Sequence, residues 1–283
     1  MQRVLSTYLF VNRKLTAALV GEVARAEVSA IELFCSRAHF DYRSADDARE
    51  LASWLAGNNL TLHSIHSPTM RDSYPQRESG TPLSISDPER IRRQEAVDEI
   101  KRALDLVECV PFRYCVQHVA QPRDIPDQRR WDAAFSSLEL LSLFAKQRGV
   151  TLALENTPGE MATPVNLKNF LEQTRLTNVK LCFDTGHAHL EGGVVAGVEA
   201  IRDFVVTTHV HDNRGERDDH LPPYEGTIDW SSALPLLPAD VPFVFELKEP
   251  AAAVGSADLQ VFAGTLQGMR NVFDKFEKTL AQA

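Results

Sequence analysis

Residues 151–155 read TLALE, 179–184 VKLCFD, 205–211 VVTTHVH and 243–246 FVFE. Each is a short, mainly apolar run of strand length, and each ends on one polar residue: Glu155, Asp184, His211 and Glu246. Segments with helical periodicity separate these runs. Towards the N-terminus the same alternation places strands at 4–9, 30–34, 60–65 and 114–118, the last closing VQH on His118. Helix-start chemistry falls between them. Ser44 with Asp47 resembles a capping box, and Asp87-Pro88 and Thr163-Pro164 each set a capping side chain before a proline at the first helical position. The helical stretch 131–148 stops at Gly149, and a last helix covers 257–280. Eight strands, each followed by a helix and with no linker between them, predict a single (β/α)8 TIM barrel domain over residues 1–283. An open doubly wound sheet would want a glycine-rich phosphate turn after the first strand, and residues 10–14 contain no glycine.

Charge and composition narrow the function. The formal net charge is −9, which argues against a nucleic-acid partner held by bulk charge, because phosphate binding needs clustered Lys and Arg. Cys35, Cys109, Cys115 and Cys182 stand apart with no C-x-x-C pair, so neither thiolate zinc nor a disulfide framework is expected. No apolar run reaches the ~20 residues of a membrane span, and the N-terminus lacks a signal-peptide core. The expected setting is a reducing cytoplasm. A homo-oligomer is compatible with the sequence.

In a barrel of this kind the C-terminal tips of the strands converge on one face, where active sites lie. Carboxylates and imidazoles gathered there repel or lose solvation unless a cation sits among them, so a divalent metal is the economical reading. Loops add His66 in LHSIHSP, His187 in DTGH, and Asp218 and His220 in RDDH. With His118 and the four tips quoted first, the candidate ligands are five His, two Asp and two Glu. Plainer accounts exist for each: ion pairs at strand ends for the tips, and solvated loop positions for His66, Asp218 and His220. His187 or His118 could instead touch substrate. His209 has the parity of His211 but lies deeper, and reads as an interior hydrogen-bonded histidine. Glu32 in AIELF points inward, either to substrate or into a buried ion pair. Lys248 has the parity to face the mouth, and a solvated loop lysine is the competing account.

The segments LALENTPGE (152–160), LCFDTGHAH (181–189), HVHDN (209–213), RDDHLPPYEGTIDW (217–230) and FVFELK (243–248) resemble the xylose-isomerase-like barrel superfamily. That superfamily includes sugar-phosphate isomerases and epimerases, inosose dehydratase and endonuclease IV. The ketose 3-epimerase branch implies one metal on Glu155, Asp184, His211 and Glu246, with the two glutamates as the acid/base pair. It also implies a substrate-contacting arginine, matched by Arg217 or Arg214. The endonuclease IV branch implies three zinc ions on His66, His118, Glu155, Asp184, His187, His211, Asp218, His220 and Glu246. DTGH stands here where that branch has DTCH, and the loop between His211 and Asp218 is shorter.

Two functions are therefore expected. The first is a divalent-metal-dependent isomerase or epimerase of a sugar, sugar phosphate or polyol, with Glu155 and Glu246 moving a proton beside a carbonyl. The second is a multi-zinc phosphodiesterase. A metal-binding barrel without catalysis is a third account. The histidine-rich set points to zinc, a carboxylate-heavy site admits manganese, and the ions number one to three per chain.

Overall fold

Side chains alternate across a strand, so each run quoted above has one face for the surrounding helices and one for the barrel bore. The computed structural model describes residues 2–71, 80–122, 124–238 and 240–281. Its strands are β1 (Arg3–Ser6), β2 (Ala30–Phe34), β3 (Thr61–His66), β4 (Tyr114–His118), β5 (Thr151–Glu155), β6 (Val179–Asp184), β7 (Val205–Val210) and β8 (Phe243–Phe245). All pair in parallel in sequence order, and β1 pairs with β8 to close the barrel. Leu5, Ile31, Leu33, Ile65, Leu154, Phe183, Val210 and Phe245 face outward into the main core under the helices. Small residues fill the bore: Val4, Ala30 and Val244 in one patch, Val116, Ala153 and Cys182 in another. Two residues further along the same faces the bore turns polar, at Ser6, Glu32, Glu246, His118, Glu155 and Asp184. That switch from apolar to polar puts the chemistry at the C-terminal end of the barrel.

The helices are α1 (Ala17–Arg25), α2 (Ala45–Gly57), α3 (Arg90–Leu104), α4 (Gln128–Lys146), α5 (Pro164–Thr174), α6 (Thr185–Leu190), α7 (Val194–Ile201), α8 (Trp230–Ala233) and α9 (Ala263–Leu280). Ser44 caps α2 and Thr163 caps α5, with Pro164 at the first turn, as their sequences predict. Three of the boundaries that differ from expectation have a local cause. The first strand ends at Ser6, because Ser6 Oγ accepts from the Tyr8 amide and turns Thr7–Phe10 into a 3-10 helix that buries Leu9 and Phe10. Asp87 accepts from the Glu89 amide and closes a local turn, so α3 starts at Arg90 without a side-chain cap. Asp258 likewise caps a short 3-10 turn, Leu259–Phe262, ahead of α9. Phe273 of α9 stacks on Phe245 at 4.0 Å, and Arg3 pairs with Asp274 and Glu277 at 2.6 and 2.8 Å, fastening the last helix across the closure. Among the described residues no helix is long and apolar enough to cross a membrane.

Candidate metal centre

Adjacent strand tips come together because parallel register sets them side by side. His118 of β4 is opposite Glu155 of β5 in the ladder, and His118 Nε2 lies 3.1 Å from Glu155 Oε2. His66, at the tip of β3, brings its Nε2 to 3.3 Å from the same oxygen. These three form one group of converging donor atoms. Glu155, Asp184, His209 and Glu246 form a second, wholly buried group. His187, His211, Asp218 and His220 form a third. Glu155 belongs to the first two at once.

The third group depends on local structure beyond the strands. Asp184 caps α6 by accepting the His187 amide at 2.7 Å, which turns the His187 ring back over the barrel mouth. Its Nε2 then meets Asp218 Oδ2 at 3.1 Å. A Cβ at Gly186 would stand 2.0 Å from His211 Cε1, so only glycine lets α6 lie this close to that ring. The loop after β7 is organised by buried Asp212. Its carboxylate accepts from the amides of Asn213, Tyr224 and Ile228 and from Trp230 Nε1, the last at 2.9 Å. That loop presents Asp218, and His220 at a left-handed φ of 49°, uncommon for a side chain with a Cβ. His220 Nε2 meets Asp218 Oδ2 at 2.9 Å, and its ring stacks on His211 at 4.0 Å.

Among the described residues, the ion-pair partners of Glu155, Asp184, Asp218 and Glu246 are all histidines. Burial pushes the Glu155 carboxyl up, but His209 and His118 outweigh it and hold the group well below the usual carboxylate range. Among the described residues, three buried atoms at the centre, Glu155 Oε1, His209 Nδ1 and His211 Nδ1, have no hydrogen-bond partner. Orphaned nitrogen and oxygen atoms facing one another in a dry pocket are costly, and a divalent cation would satisfy them. The donor set of imidazoles and carboxylates fits such an ion.

All nine residues singled out as ligands meet at this mouth. Glu32 is wholly buried below it, 3.1 Å from His209 Nε2 and accepting from Ser64 Oγ at 2.8 Å, so of its two readings the structure has the buried pair. Arg217 is turned to solvent with its Nε on Asp219 Oδ1 at 2.6 Å, and Lys248 is exposed. His209 enters the central group through Nδ1, which the reading of it as an interior residue left out; its shared parity with His211 was the available signal.

A family model described as xylose isomerase-like TIM barrel matches residues 20–263. The chain belongs to that family. The uncharacterised protein y4fM of Sinorhizobium fredii is 27% identical over 203 residues, covering 63% of this chain and 62% of the relative. The chain thus matches about three fifths of that relative's length. Among solved structures, a D-tagatose 3-epimerase-like protein superposes with a TM-score of 0.78 at 21% identity, over 100% of this chain and 99% of that one. The IolI protein with a bound zinc atom gives 0.73 at 16%, over 100% and 99%. At these identities the likeness to the two structures is one of fold.

Proposed function

We propose that this chain is a divalent-metal-dependent isomerase or epimerase acting on a sugar or sugar phosphate. The observation that carries the reading is the meeting of two buried glutamates, Glu155 and Glu246, with Asp184 in one group of donor atoms at the barrel mouth. A bound cation, zinc or manganese, would polarise the carbonyl of a hydroxy-carbonyl substrate. The remaining work falls to side chains. The contacts of Glu246 fall on Oε2, with His209 at 3.5 Å and His220 at 3.8 Å. Its other oxygen takes the proton from the carbon beside the carbonyl, and the electron pair moves to the carbonyl oxygen as an enediolate. Glu155 passes a proton from His187, whose Nδ1 is 3.1 Å from Glu155 Oε1, to the opposite side and inverts the carbon; delivery to the neighbouring carbon isomerises the sugar instead. A small-molecule partner and a cytoplasmic setting go with this reading, as does the likeness to sugar epimerase structures. In deuterated solvent, metal-loaded protein should exchange a carbon-bound proton of a ketose or its phosphate. Glu246→Gln should slow that exchange by about 100-fold or more. No exchange by the metal-loaded wild type across ketoses and ketose phosphates would sink the reading.

A second reading, a multi-zinc phosphodiesterase, is favoured by one observation: ten donor residues fall into three groups, two of which share Glu155, more than one cation needs. Clustered zinc would supply an activated hydroxide for phosphodiester cleavage. Against it stands the net charge of −9. Cleavage of a phosphodiester, with DNA affinity falling steeply as salt rises, would decide for it.

A further inference from the structure

The helices of the outer layer do not close evenly around the strands. α4 packs against α3 and α5 against α7, and between α4 and α5 lies an open cavity of about 480 Å³. Cavities of that size are where proteins take small organic ligands. Its apolar lining is aromatic: Trp131 of α4, half-buried, stacks on buried Phe170 of α5 with ring centroids 5.3 Å apart and planes tilted by 28°. Four of its nine lining residues carry primary amides, Gln128 on α4 and Asn166, Asn169 and Gln173 on α5. Among the described residues no lysine or arginine lines it, and its one carboxylate, Asp132, already accepts from Gln128 Nε2 at 2.8 Å. The outer face of a helix ordinarily carries charge, and asparagine is a poor residue for its middle. Asn166 has a local partner, since its Nδ2 donates to the Glu160 carbonyl at 2.7 Å and leaves its own oxygen to accept. Asn169 and Gln173 have none: both are exposed, and their amides bond to no other described residue.

We propose that this groove binds a neutral saccharide, at a site separate from the barrel mouth. The exposed part of an aromatic pair takes the C–H face of a sugar ring, and a primary amide both donates and accepts, as a sugar hydroxyl does. A phosphate or carboxylate on the ligand would meet no cation in this lining, so the ligand is uncharged. Asn166 and Gln173 stand seven residues apart on α5, about 10 Å along its axis, as do Gln128 and Phe135 on α4. The groove is longer than one sugar ring, and a disaccharide or longer chain fills it better than a monosaccharide. α4 and α5 flank the strands on the outside, whereas the donor groups converge at the strand tips, so the inference stands whether or not the mouth holds metal.

The test uses the intact chain with nitrogen-labelled tryptophan, the Trp131 indole signal being assigned with Trp131→Phe. Maltose and cellobiose are the probes. At least one of them should move the Trp131 signal saturably and leave those of Trp54 and Trp230 in place, with the same response after chelator treatment. Asn169→Ala combined with Gln173→Ala, both at exposed positions, should weaken the binding by about 10-fold. No movement of the Trp131 signal with either disaccharide would overturn the proposal. So would a response lost on chelation, which would place the sugar at the mouth. Movement on raising the protein concentration alone would also overturn it, by making the groove a contact between two copies of the chain.

Discussion

Asp218 stands between two imidazoles, with His187 Nε2 at 3.1 Å and His220 Nε2 at 2.9 Å. Burial pushes the His220 ring down, but its bond to Asp218 and the charge of that carboxylate outweigh burial and hold it up at about 9. His187 is also held well above its ordinary value, burial being outweighed by Asp184, Asp218 and Glu155. Without a metal these rings carry protons at neutral pH as substitute cations, and a metal ion must displace them. The sign follows: a group whose pKa is raised in the empty site releases its proton on binding, so apparent affinity rises with pH up to about 9 and falls as pH falls. Zinc titrations at pH 7 in buffers of different ionisation enthalpy should show at least one proton released per ion bound among His187, His211, Asp218 and His220; a pH-independent affinity would contradict this. The convergence of the nine candidate residues was legible because each has few roles at a strand tip or its loop. The pairing of Glu32 with His209 was not. It joins β2 to β7 across the bore, and no local pattern in either strand specifies a contact 177 residues apart.

At the scale of elements, the ligand loop after β7 depends on one side chain. Asp212 satisfies three amides and the Trp230 indole, and it pairs with Leu221 in an antiparallel bridge. Removing its carboxylate leaves several buried donors without a partner, each costing on the order of 1–3 kcal/mol. Asp212→Ala should therefore destabilise the fold by about 3 kcal/mol in chemical denaturation and open residues 214–220 to protease. Unchanged stability would refute its organising role. Sequence patterns located β5 and β6 to the residue, since each short apolar run ends on a single acidic residue, Glu155 or Asp184. They overran β1, where the apolar run LSTYLF continues after the chain has turned at Ser6. Burial without alternation does not distinguish a strand from a 3-10 turn.

Across the whole molecule, closure of eight parallel strands brings residues from 66 to 246 to one end, and the interior changes from small apolar to polar on the way up. The barrel was legible from alternation alone. The orientation of the loop side chains was not: Arg217 and Lys248 are both exposed, where a long cationic side chain keeps its hydration. Among the described residues, four carboxylates at this end have only histidines as ion-pair partners, and we propose that they hold divalent metal. Elemental analysis of protein purified without chelator tests that most directly. The account predicts at least one zinc or manganese ion per chain, lost on replacing Glu155 and Asp184 with alanine. A metal-free protein that takes up neither ion on dialysis would contradict it.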